Sequence, residues 1–162
     1  MATKTTFSPE EWELLMEGVM SSGVAVTAAD PSGLWGAFKE SFASARVLSE
    51  GKSSSDELIR SLVDDFSSSA GRGIVRDALS ADIKGKAPAD IKTASLDKLR
   101  QAATLLDTKA PQDAPAVKAW MREMSEKVAE ASKEGGFLGF GGVPVSDAEK
   151  AVLGDIDTAL KA

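Results

Sequence analysis

The side chains that most often carry chemistry at neutral pH are missing from this chain, which has no His, no Cys and no Tyr in 162 residues. His is the usual proton shuttle and the commonest transition-metal ligand, and the Cys thiolate is the usual soft ligand and sulfur nucleophile. Without them the standard zinc, haem and iron–sulfur ligand sets cannot be assembled from this chain. The Ser-His-Asp and Cys-His arrangements are excluded as well. A bound metal would have to be a hard cation held by Asp, Glu and carbonyl oxygens. Acid–base work would fall to Glu, Asp or Lys with a pKa shifted by burial, and no spacing singles one out. No cofactor is expected.

Two stretches have residue types that could still act. The first, Gly135-Gly136-Phe137-Leu138-Gly139-Phe140-Gly141-Gly142-Val143-Pro144-Val145, holds five glycines and two phenylalanines and no charge in eleven residues. It is not a phosphate loop, because no Gly-Lys-Ser/Thr follows and no strand precedes it. Leaving so apolar a segment bare in water is costly. Either Phe137, Leu138 and Phe140 fold back to close one end of the core, or the segment docks a partner. On the second reading the contact residues are Phe137, Leu138, Phe140 and Val143. The second stretch, Asp30-Pro31-Ser32-Gly33, offers a carboxylate at Asp30 and a hydroxyl at Ser32 to a ligand or cation. The same residues also read as a capped turn, and they lack the alternating oxygens of an EF-hand loop.

The remaining unusual residues read as structure. Asp64 and Asp65 are adjacent helical positions pointing in different directions, which suits solvated surface better than a catalytic pair. Trp12, Trp35 and Trp120 lie on or beside apolar stripes and are expected in the core. Met16, Met20, Met121 and Met124 fit the same place, although methionine-rich faces also make adaptable grooves.

The elements that position these residues are all helical. Ser8-Pro9-Glu10-Glu11 combines a capping Ser, Pro at the first helical position and Glu at the third, with Phe7 and Trp12 placed as a hydrophobic staple. Leu15, Met16, Val19 and Met20 continue that face, and the helix ends near Ser21 or runs on towards Ala28. Pro31 opens a second helix through Leu34, Phe38, Phe42 and Ala45. Ser54 and Glu57 suggest a capping box before Leu58, Ile59, Leu62, Val63 and Phe66. Ser67 to Gly73 reads as a breaker, followed by a short helix ending near Gly85. Pro88 starts the next helix, which stops before Pro111. Asp113 and Pro115 start a long one that ends at Gly135-Gly136. Ser146 and Glu149 form the capping box of the last, with Val152, Leu153, Ile156 and Leu160 inward. No segment has strand periodicity. The expected fold is all-α, a single compact bundle of about six to seven mostly antiparallel helices over residues 8–162, with residues 1–7 as a flexible tail.

Composition fits that picture, with 43 % hydrophobic and 27 % charged residues and. The net charge is −6, and residues 1–50 carry three cations against seven anions. The one basic stretch, residues 72–100, has seven cations against four anions and no interleaved aromatic. Nucleic-acid binding wants a concentrated basic face, so it is not expected. No segment reaches the roughly 20 apolar residues of a membrane span, and the opening residues lack a signal-peptide pattern. A soluble, cytoplasmic protein is the expectation.

Ala28-Ala29-Asp30-Pro31-Ser32-Gly33 followed by Trp35-Gly36, together with the string GFLGFGGVPVSDAEK from Gly136 to Lys150, resembles a family of small all-helical bacterial proteins without an assigned activity. More distantly, the layout is similar to the tellurite-resistance TerB-like domains, in which an acidic turn precedes a capped helix in each of two halves. That resemblance implies a stress-related or scaffold-like role. It also implies cation or ligand positions at Asp30 in the first half and at Ser146, Asp147 and Glu149 in the second. The chain departs from it at Phe140-Gly141-Gly142-Val143, where such domains carry an Ala-Asp-Gly-Glu-like turn and this chain has no carboxylate.

Three functions follow in order. The first is a non-enzymatic protein-interaction or scaffold module that uses residues 135–145 as its contact surface. The second is a bundle that binds a small hydrophobic ligand or a hard cation. The third is an enzyme built on Asp, Glu or Lys. The partner's identity and the oligomeric state are not readable from the residues.

Overall fold

A computed structural model describes residues 1–29, 50–134 and 145–161. Asp30, Ser32, Trp35, Phe137, Leu138, Phe140 and Val143 lie outside the described residues, as does the helix expected after Pro31. The described residues form a 3-10 turn at Lys4–Thr6 and six helices: α1 Pro9–Ala29, α2 Glu57–Ser67, α3 Ser69–Ile83, α4 Pro88–Lys109, α5 Ala114–Glu134 and α6 Asp147–Leu160. No strand occurs among them. The protein is an all-α bundle, as the periodicity predicts.

Helix α1 is its axis. It begins where Ser8 caps the Glu11 amide at 3.2 Å and the Ser8 amide donates to the Glu11 carboxylate at 2.8 Å. That bond from the Ser8 amide, helped by Lys109, holds the Glu11 carboxyl below its ordinary range. The Phe7 and Trp12 rings stand 5.9 Å apart, the staple expected from their spacing and. From Gly18 to Ala28 every residue of α1 is buried. The helix therefore runs to Ala29 and has no polar stripe in its second half, the pattern of a helix surrounded by others. Two of its buried hydroxyls bond to the helix's own backbone: Ser22 donates to the Val19 carbonyl at 2.6 Å and Thr27 to the Gly23 carbonyl at 3.0 Å and.

Around α1, helix α4 makes the broadest contact, with α5, α6 and α3 covering other faces. The interior holds Leu15, Met16, Leu58, Leu62, Leu99, Leu106, Met121, Met124 and Ile156, all under 2 % exposed. Trp12, Trp120 and Met20 are buried with them. Cross-helix ion pairs fasten the rim: Lys109 to Glu11 at 3.0 Å, Lys118 to Asp107 at 2.7 Å and Lys92 to Asp155 at 3.2 Å.

Three local expectations change. The cap of α2 is Asp56, which accepts the Leu58 and Ile59 amides at 2.9 and 3.1 Å, while Ser54 accepts the Asp56 amide at 3.1 Å. A carboxylate at that position takes two amides at once and displaces the expected Ser54–Glu57 pair. The break between α2 and α3 shrinks to Ser68, whose extended backbone turns the chain while its hydroxyl accepts the Gly71 amide at 2.9 Å. Residues 1–7, expected as a tail, lie against the bundle, with Ala2 and Phe7 buried and the Ala2 amide donating to Asp113 at 2.8 Å.

Candidate functional site

Among the described residues, the most enclosed cluster of ion pairs joins three helices. Lys98 of α4 reaches Glu17 of α1 at 2.8 Å and Asp82 of α3 at 2.7 Å, and the three side chains are 18 to 26 % exposed. Burial acts against the ammonium and is the largest influence, but the hydrogen bonds from Asp82 and Glu17 and their charges together outweigh it and raise the Lys98 pKa and. A nucleophilic or basic lysine needs the opposite shift. Lys98 is therefore an ion-pair anchor. Beside it, Met20, Ser21, Val24, Val75, Ala78 and Ser95 line a cleft of about 10 Å³. That is the space of a single water, against the roughly 300 Å³ or more of a small-molecule site.

Other partly buried charges serve packing in the same way. Asp65 accepts the Trp12 indole N–H at 2.5 Å and the Lys4 ammonium at 2.7 Å. The Lys4 ammonium also stands 5.7 Å from the centre of the Trp12 ring and. Asp65 is thus an anchor for the N-terminal segment and not merely the solvated surface expected of the Asp64–Asp65 pair. Arg122 of α5 pairs with Asp157 of α6 and with Glu126 at 3.0 Å. Its Nε is buried without a hydrogen-bond partner.

Of the residues assigned to a ligand or cation, Asp147 and Glu149 are described, and they are not brought together. Glu149 is 4 % exposed, and its carboxylate accepts the Ser146 amide at 2.7 Å while its own amide donates to the Ser146 hydroxyl at 3.2 Å. This is the capping box expected from the Ser146–Glu149 spacing and. Asp147 is fully exposed and faces Lys150 at 3.6 Å. Among the described residues no group of three or more Asp or Glu is placed to hold a metal ion. Met16, Met20, Met121 and Met124 are all buried in the core, so they form no open groove.

Sequence reasoning missed the Lys98 cluster and the roles of Asp65 and Asp113. A signal existed for the first. Glu17, Ser21 and Val24 share one helical face, and so do Ser95 and Lys98 of α4, so an acid and a base each edge an otherwise apolar surface. For Asp65 the partner lies 53 residues away, and only the fold supplies it.

The basic stretch is largely matched by acids within the molecule: Lys86 and Lys98 meet Asp82, Lys92 meets Asp155, Arg76 meets Asp77 and Arg100 meets Asp97. No helix among the described residues is long and apolar enough to cross a membrane. No family model, no curated protein and no solved structure matches the chain.

Proposed function

We propose that the protein is a non-enzymatic interaction module, in which the helices form a rigid frame and residues 135–145 supply the contact surface through Phe137, Leu138, Phe140 and Val143. The observation that carries this reading is the composition of that segment, eleven uncharged residues joining α5 to α6. The two helices it joins are firmly held. The pair of Arg122 with Asp157 ties α5 to α6, and the Ser146–Glu149 box fixes the first turn of α6. The engagement of Lys98, Asp65, Asp113 and Glu149 in packing supports the same reading, since these groups are committed to the fold. A stress-related setting is supported by the resemblance to the TerB-like domains.

The test replaces Phe137 and Phe140 together with Ser in the full chain. The expected result is an unchanged melting temperature with loss of the partner that co-purifies with the parent protein. A lowered melting temperature with the partner retained would move both rings into the core and end the proposal, as would no change in either measurement.

A further inference from the structure

Asp113 presents a buried carboxylate directly ahead of the first residue of α5. The residue is 4 % exposed, sits in the turn between α4 and α5, and accepts the backbone amide of Ala2 at 2.8 Å. The neighbouring cations are engaged elsewhere: Lys109 binds Glu11 and Lys118 binds Asp107. The N-terminal end of α5 favours a carboxylate here, and a cation in place of the neutral amide would add a charge-assisted bond to it and. The nitrogen already in contact with it belongs to the residue where the chain passes from solvent to interior. Met1 is 72 % exposed and Ala2 is 7 % exposed within the core cluster.

We propose that Asp113 is the receiving site for a proteolytic modification, in which hydrolysis of the Met1–Ala2 bond leaves an α-ammonium on Ala2 that Asp113 binds as a buried ion pair. A peptidase adds water across the peptide bond. The carboxylate departs with Met1, whatever stands before it, and the Ala2 nitrogen takes up protons. An α-amino group with an ordinary pKa of about 8 is mostly charged at neutral pH. Ala2 is buried in the folded chain, so the cut precedes packing of the segment. The surrounding contacts already place the nitrogen: the Thr3 amide donates to the Thr6 hydroxyl at 3.1 Å, Lys4 holds Asp65, and the Phe7 ring packs tilted beside Trp12. The modification turns a neutral hydrogen bond into a charge-assisted one and fastens the N-terminal segment to the turn between α4 and α5.

Three forms of the full chain test this: one retaining Met1, one released from a cleavable fusion so that it starts at a free Ala2, and the second form with its Ala2 amine enzymatically acetylated. Acetylation keeps an N–H donor and removes the charge. In urea unfolding, the free-amine form is expected to show a folded-to-unfolded ratio about tenfold above the Met1 form. The acetylated form should return to within about twofold of the Met1 form. Asp113→Asn in the free-amine form should erase the gain. Equal stability of the free and acetylated forms would overturn the proposal, and so would a gain of the same size in the Asp113→Asn background. If that variant does not fold, the acetylation comparison decides alone.

Discussion

Gly18 of α1 faces Ala102 of α4 so closely that a Cβ on the glycine would lie 2.5 Å from the alanine methyl carbon. The approach lies in the contact of α1 with α4, the broadest among the described helices, and both residues are buried. Gly18→Ala should improve helix propensity by up to about 1 kcal/mol and lose more through overpacking, about 1–3 kcal/mol. The expected net effect is destabilisation. Ala102→Gly in the same chain should recover much of it, because the methyl group is moved across the interface and not added. Urea unfolding of the two single variants and the double variant measures this. Strictly additive effects would mean that the two positions do not meet.

Asp65 offers a second comparison. Its carboxylate satisfies the buried Trp12 indole and an exposed Lys4 from the same oxygen. Asp65→Ala leaves the indole N–H without its acceptor and should cost about 1–3 kcal/mol. Lys4→Ala removes a cation whose side chain is 58 % exposed, and should cost less than about 1 kcal/mol and. Thermal unfolding of both variants tests the order, and equal losses would contradict it.

These contacts show where the sequence was informative. Ser8 with Glu11 and Ser146 with Glu149 sit three residues apart, so both capping boxes could be read directly, and the structure contains both. The stripes of α2 and α6 were legible for the same reason, since Leu58, Leu62, Val63, Val152 and Ile156 follow the helical period and are buried. The second half of α1 was harder to read, because a helix covered on all sides has no polar face to set its phase, and Gly23 with Val24, Val26 and Thr27 weakens its propensity and. The Lys98 cluster and the Asp65 anchor depend on pairings across 53 or more residues for Asp65 and Trp12, or across three helices for Lys98. Local patterns contain no record of such distances.

The Lys98 cluster predicts a loss of stability at high pH. Its pKa is raised in the fold above the ordinary value of 10.5. A group whose folded pKa is raised contributes fully below the ordinary value, and that contribution is lost as the pH rises through the folded pKa. The stability difference between the parent and Lys98→Gln should therefore be level through neutral pH and shrink above 10.5. Urea unfolding at a series of alkaline pH values measures it. A difference that stayed constant across that range would mean that the ammonium contributes by packing and not by charge.

Helix α3 contains two glycines whose replacement should act in opposite directions. At Gly73 nothing lies within 4 Å of an added Cβ. Gly73→Ala should gain about 0.5–1 kcal/mol, from better helix propensity and a less flexible unfolded chain. At Gly71 an added Cβ would lie 2.0 Å from the Asp65 carbonyl oxygen and 3.1 Å from the end of the Met16 side chain. A backbone carbonyl cannot step aside as a flexible side chain can, and this one also accepts the Ser68 hydroxyl at 2.7 Å and the Ser68 amide at 2.9 Å. Gly71→Ala must therefore open the corner between α2 and α3 and disturb the Ser68 hydroxyl bond to the Gly71 amide. A net loss of about 2 kcal/mol or more is expected from overpacking combined with the lost cap. The same alanine substitution two residues apart in one helix controls for propensity, so the difference in melting temperature between the variants isolates the tight corner. A gain at both positions would show that α2 and α3 do not meet closely at Ser68.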